Sequence, residues 1–121
     1  MTKTVLTVDD SRTMRDMLLM ALEDAGYRVI QAVDGVHGLE VLAANGADII
    51  ITDINMPRMD GFGVIEGVRA DPNHRHTPVL VLTTESDAEK KARARAAGAT
   101  GWIVKPFDPV KLVDAVRRVA A

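Results

Sequence analysis

Asp48-Ile49-Ile50-Ile51-Thr52-Asp53 is the stretch that decides the fold. Its β-branched run leaves neither face polar, so it reads as a strand buried on both sides, as in a parallel sheet covered by helices. It ends in a carboxylate, Asp53. Outward in both directions the pattern returns. Thr4-Val5-Leu6-Thr7-Val8 and Pro78-Val79-Leu80-Val81-Leu82-Thr83 are nearly continuous apolar runs of the same kind. Arg28-Val29-Ile30-Gln31-Ala32 and Trp102-Ile103-Val104 are further β-branched runs that complete the set.

Between the strands lie helical patterns. Met14, Met17, Leu18, Ala21, Leu22 and Ala25 recur at three and four residues and make one apolar stripe. Ser11 precedes it as an N-cap and Gly26 follows as a C′ glycine. Gly38 to Ala44 reads as a second helix stopped by Gly46. Phe62, Ile65 and Val68 mark a third. Its Gly63 and Gly67 each cost about 1 kcal/mol relative to alanine in a helix interior, which suggests a soft element. Ser86-Asp87-Ala88-Glu89 is a capping box opening a fourth helix, which Gly98 ends. Asp108-Pro109 opens a fifth, with Leu112, Val113, Val116 and Val119 as its buried stripe. The pattern predicts an α/β fold: a single domain over residues 1–121, with a five-stranded parallel sheet doubly wound by five helices.

Composition narrows the function. The chain has 121 residues, 47% hydrophobic and 26% charged, so it can bury an ordinary core. It has no cysteine, which excludes a thiolate metal site, a cysteine nucleophile and a disulfide framework. No apolar run is long enough to span a bilayer, and Met1 to Asp10 does not read as a secretory signal, so a cytoplasmic location is expected. A net charge of −2 argues against a nucleic-acid partner, and 3% aromatic residues argue against base-stacking platforms. Function is left to a small polar site or a protein-binding face.

In an open sheet of this kind, ligands bind beyond the carboxyl ends of the strands, where strand order reverses. Asp9-Asp10 follow the first strand, Asp53 the third and Lys105-Pro106 the fifth, while Thr83-Thr84 end the fourth. Three carboxylates in one crevice need raised pKa values or a bound cation. Oxygen donors without histidine or cysteine suit a hard ion such as Mg²⁺. With that ion and Lys105 the charges balance, and the site can accept an anion whose oxygen binds the metal. A phosphoryl group fits: Asp53 as nucleophile, with Lys105 and the Thr83 hydroxyl taking the other phosphoryl oxygens.

Val8-Asp9-Asp10, Asp53-Ile54-Asn55-Met56-Pro57, Met59-Asp60-Gly61, Thr83 and Lys105-Pro106-Phe107 together resemble the receiver domain of two-component response regulators, and most nearly its CheY-like stand-alone chemotaxis members. The resemblance covers the whole chain in the family's order and spacing. It implies a flavodoxin-like fold and phosphorylation of Asp53 by a histidine kinase, CheA-like if the pathway is chemotaxis. It implies Mg²⁺ on Asp10, Asp53 and the backbone carbonyl of Asn55, with Asp9 acting through water. Thr83 and Lys105 would contact the phosphoryl group, and the Lys105-Pro106 bond would be cis. Thr83 would couple to Trp102 as the switch, at a position where tyrosine or phenylalanine is more usual. Asn55 and Glu85 would tune self-dephosphorylation, although two plain loop residues explain them equally well.

The fourth helix stands apart on physical grounds. Its apolar positions are all alanine, and Lys90, Lys91, Arg93 and Arg95 fill the rest. Alanine buries little area, so this helix is expected to be lightly anchored. It reads either as a solvated basic face or as a movable part of a partner-binding face with strand five and helix five. His74 and His76 lack a third ligand nearby in sequence and read as a solvated loop. The function expected is a monomeric, non-enzymatic signalling protein whose effector is a flagellar motor switch protein or another protein of the pathway. A phosphate sink, a phosphorelay or cell-cycle intermediate and, less so, an aspartyl-phosphate phosphatase remain as alternatives. Against the phosphatase, Asn55 stands where that chemistry wants a second acid. No output domain is expected after the fifth helix.

Overall fold

A computed structural model describes residues 2–121. The strands are β1 (Thr4–Val8), β2 (Arg28–Ala32), β3 (Ile49–Thr52), β4 (Val79–Thr83) and β5 (Gly101–Val104). The helices are α1 (Arg12–Asp24), α2 (Gly35–Asn45), α3 (Gly61–Ala70), α4 (Ala88–Ala97) and α5 (Pro109–Ala120). All strand pairs are parallel, in the order β2-β1-β3-β4-β5. The doubly wound α/β sheet expected from the pattern is therefore present, and strand order reverses between β1 and β3.

Alternation along the strands divides the interior in two. Leu6, Val8, Ile50, Val79 and Val81 point to one face, where Leu42, Phe62, Ile65, Val68 and Ala94 cover them. Val5, Ile49, Ile51, Leu80 and Leu82 point to the other, under Leu18, Leu22, Leu112 and Val116. Residues of β3 and β4 are buried throughout, as their unbroken apolar runs require.

Each helix starts at the carboxyl edge of the sheet behind a capping side chain. Ser11, Asp34, Asp60, Asp87 and Asp108 accept backbone N–H bonds in the first turns of α1 to α5. Two helix starts differ from the sequence reading. The second helix begins at Gly35 rather than Gly38, because Asp34 Oδ1 takes the His37 N–H at 2.8 Å. The fourth is capped by Asp87 rather than Ser86: Asp87 Oδ1 accepts from Glu89 N at 2.7 Å. A carboxylate competes better than a hydroxyl for the positive end of a helix.

The glycines of α3 serve packing. A Cβ on Gly67 would lie 2.6 Å from Leu39 Cδ1, so this residue lets α2 and α3 approach closely. In α4 only Ala94 is buried, which matches the light anchoring expected of an alanine helix. Its far end is fixed differently. Gly98 takes a left-handed φ of 111°, and its carbonyl accepts from Arg69 Nε at 3.1 Å and Nη2 at 2.7 Å. Arg69 Nη1 also donates to the carbonyls of Thr77 (2.7 Å) and Arg75 (3.1 Å). Arg93 lies 3.9 Å over the Phe62 ring, a cation–π contact joining α4 to α3.

Candidate acidic site at the carboxyl edge of the sheet

Strand register builds the site. Val8 is the partner of Thr52, so the next residues, Asp9 and Asp53, emerge side by side at the point of reversal. The Asp53 N–H bonds to Val8 O at 3.0 Å, and the Asp9 N–H to Ala32 O at 3.1 Å. Asp9 is 2% exposed and Asp53 9%, whereas Asp10 faces solvent. Carboxylate oxygens of Asp9, Asp10 and Asp53 lie within 4.8 Å of one another, the only such acidic or histidine cluster among the described residues. His74 and His76 do not form one, and His74 Nδ1 instead lies 3.4 Å from Thr77 Oγ1.

Lys105 arrives from the end of β5, where its N–H bonds to Thr83 O at 2.8 Å. Its Nζ donates to Asp9 Oδ2 at 2.8 Å and to Asp53 Oδ2 at 2.9 Å. The Lys105-Pro106 peptide is cis, as the motif implied. The other oxygens are held by backbone: Ile54 N donates to Asp53 Oδ1 at 2.6 Å, and Ser11 N to Asp9 Oδ1 at 2.9 Å. Arg15 Nη1 braces the Asp9 carbonyl at 2.7 Å.

The electrostatics are those of a site short of positive charge. Burial pushes the Asp9 carboxyl above its usual range, and the Asp53 charge adds to this; Lys105 and the Ser11 N–H only partly offset it. Burial alone would lower the Lys105 ammonium, but its bonds to Asp9 and Asp53 outweigh that and hold it above its ordinary value. Three carboxylates with one lysine leave an excess of negative charge on an oxygen-only donor set. The residues therefore fit a hard divalent cation such as Mg²⁺.

Thr83, Glu85, Asn55 and Trp102 form the rim. The Thr83 hydroxyl is fully buried and accepts the Glu85 N–H at 3.3 Å. The Glu85 carbonyl accepts the Trp102 indole N–H at 3.1 Å, so tryptophan at this position does find a polar partner. Asn55 Nδ2 donates to Glu85 Oε1 at 2.9 Å, and Lys90 Nζ lies 3.1 Å from the same oxygen. The Asn55 bond first, and then Lys90, hold the Glu85 carboxyl below its ordinary range.

The structure thus brings Asp9, Asp10, Asp53 and Lys105 together, and links Thr83, Glu85, Asn55 and Trp102 to one another on the adjoining loops and strand. Two neighbours were not singled out from the sequence. Lys90 read only as one charge in a basic run. Arg58 stands at φ 66° and donates to Asp34 at 2.8 and 3.1 Å, tying the β3–α3 loop to the start of α2. Residue type alone carried no signal for either pairing. The Ser11 and Ile54 N–H groups also escape motif reading, because backbone donors leave no mark in side-chain chemistry.

Comparison with known proteins agrees with this geometry. The chain is 38% identical over 116 residues to chemotaxis protein CheY-3 of Vibrio cholerae, covering 95% of this chain and 89% of that protein. The structure of chemotaxis protein CheY4 of Vibrio cholerae superposes with a TM-score of 0.94 at 45% identity, covering 98% of this chain and 99% of that one. The receiver domain of a sensor histidine kinase from Pseudomonas aeruginosa PAO1, described with a magnesium ion coordinated in its active-site cleft, gives a TM-score of 0.91 at 25% identity, covering 99% and 98%. The profile of the response regulator receiver domain matches residues 5–117, nearly the full span of the sheet and its helices, and the chain belongs to that family.

Proposed function

We propose that this protein is a phosphorylation-switched signalling module of chemotaxis, with Asp53 as phosphoacceptor. The observation that carries the reading is the position of Lys105 Nζ, 2.8 Å from Asp9 and 2.9 Å from Asp53, beside a third carboxylate, Asp10. An Asp53 carboxylate oxygen attacks the phosphorus of a phosphohistidine on the kinase. The P–N bond breaks, the histidine leaves with the electron pair and is protonated, and an aspartyl phosphate remains. Asp10, Asp53 and the Asn55 carbonyl would hold Mg²⁺, with Asp9 reaching it through water. When bound, the ion neutralises charge on the phosphoryl oxygens. Lys105 then exchanges a carboxylate partner for a phosphoryl oxygen.

Output follows from Thr83. Its hydroxyl accepts from Glu85 N and has its own proton to donate. Donation to a phosphoryl oxygen draws Thr83 toward Asp53. The β4–α4 loop, linked through Glu85 to Trp102, then shifts and reshapes the face made by α4, β5 and α5. The partner on that face is a flagellar motor switch protein or another effector of the pathway, and the phosphodonor is a CheA-like kinase. The protein acts as a cytosolic monomer and catalyses only its own phosphorylation and dephosphorylation. None of the described helices is long and apolar enough to cross a membrane.

The test is acetyl phosphate with Mg²⁺, read by intact mass. One phosphoryl group, about 80 Da, should add to the wild type and be absent from Asp53→Asn or after chelation. Labelling of Asp53→Asn at the wild-type rate refutes the assignment. Equal partner affinity for both forms makes the protein a phosphate sink instead.

A further inference from the structure

Lys90 lies in the first turn of α4, the positive end of the helix, where a cation is misplaced. It folds back over the cap, and its Nζ reaches Glu85 Oε1 at 3.1 Å. That oxygen also accepts from Asn55 Nδ2 at 2.9 Å. Asn55 follows Asp53 by two residues on the β3–α3 loop, and Glu85 follows Thr83 by two on the β4–α4 loop. The chain Asn55–Glu85–Lys90 therefore spans the rim between the two loops flanking the phosphoacceptor. The Glu85 backbone is pinned as well, by Thr83 on one side and Trp102 on the other.

We infer that Lys90 is a positioning residue that lengthens the life of the phosphoryl group on Asp53, by holding Glu85 across the rim against Asn55. The inference rests on the phosphoacceptor reading above. Hydrolysis needs a water in line with the breaking P–O bond, opposite the Asp53 oxygen, and so approaching past this rim. With the bridge closed, Glu85 obstructs that approach. Without Lys90, one of the two side-chain contacts on Oε1 is lost and Glu85 swings more freely. Glu85 and Lys90 side chains are 28% and 41% exposed, so the pair is partly screened and its effect modest.

The experiment loads wild type, Lys90→Met, Lys90→Arg, Glu85→Ala and the Glu85→Ala/Lys90→Met double variant with acetyl phosphate and Mg²⁺. The donor is then removed and loss of the added mass is followed. Lys90→Met should lose the group about two- to five-fold faster than wild type, and Lys90→Arg should restore the wild-type rate. Glu85→Ala should be at least as fast as Lys90→Met, and adding Lys90→Met to it should change nothing further. High salt should speed the loss in wild type and leave Lys90→Met unaffected. A Lys90→Met rate at or below wild type, a slowed Glu85→Ala, or an undiminished Lys90→Met effect without Glu85 overturns the bridge while Asp53 stands. A wild type that never labels overturns the phosphoacceptor reading and this one with it.

Discussion

Thr7, one residue before the end of β1, carries a buried hydroxyl without a hydrogen-bond partner. Valine has the same shape and no group to leave unsatisfied, so Thr7→Val should stabilise the fold by about 1 kcal/mol in a denaturant titration. A loss of stability would mean that the hydroxyl has a partner in solution. Asp34 gives a prediction in pH. The Arg58 hydrogen bond, followed by the His37 N–H, holds its carboxyl below the ordinary value of 3.8. A depressed carboxyl stabilises the fold above its unfolded pKa, and that contribution is lost as pH falls through the lower folded value. Asp34→Asn keeps a good helix cap but loses the charge. Its deficit against wild type should be present at neutral pH and shrink below about pH 3.8; a constant deficit removes the ion pair from the account. At this scale the sequence was partly legible. Asp9, Asp10, Asp53, Thr83 and Lys105 stood out because strand ends in a parallel sheet are few and chemically distinctive. Arg58 and Lys90 did not, because long flexible cations choose partners only after the loops are placed.

Among the elements, α4 depends on its two ends. Gly98→Ala forces a side chain into a left-handed φ of 111°, with the new Cβ 2.8 Å from Arg69 Nε. The variant should lose about 1 kcal/mol or more, and hydrogen exchange should rise first in α4. Uniform change across the molecule would contradict this placement. The periodicity of α1 and α5 was plain because leucine and valine mark the stripe that buries Leu18, Leu22, Leu112 and Val116, but Val113 and Val119 are only half-buried and Met17, at the margin of the α1 stripe, is 44% exposed. The start of α2 was hidden because Gly35, Val36 and His37 are weak helix formers that only the Asp34 cap makes helical. The glycines of α3 suggested softness, and Gly67 also lies where a Cβ would press on the Leu39 side chain, a packing role that periodicity does not reveal.

For the whole molecule, the apolar runs mark β1, β3 and β4 as the buried strands and leave β2 and β5 for the edges, but sequence alone does not rank β1 against β3 as neighbours. That adjacency creates the crowding of Asp9, Asp10 and Asp53, and with it a further expectation. Mg²⁺ should raise the melting temperature of the wild type, and Asp10→Asn should raise it without metal while reducing the metal's effect. A melt indifferent to Mg²⁺ would remove the ion from the site. Trp102 is the only tryptophan, so its emission should change when beryllofluoride and Mg²⁺ are added, and Thr83→Ala should lose most of that response. The four bonds from Arg69, two of them to Gly98, carry one more consequence. A rod pinned at its tail and held at its head by the partly exposed Lys90–Glu85 pair swings about the tail when that pair gives; it does not slide. Lys90 stands eight residues from that pivot, roughly 12 Å along the axis, so a tilt of a few degrees is already amplified into a displacement of about an ångström at the rim.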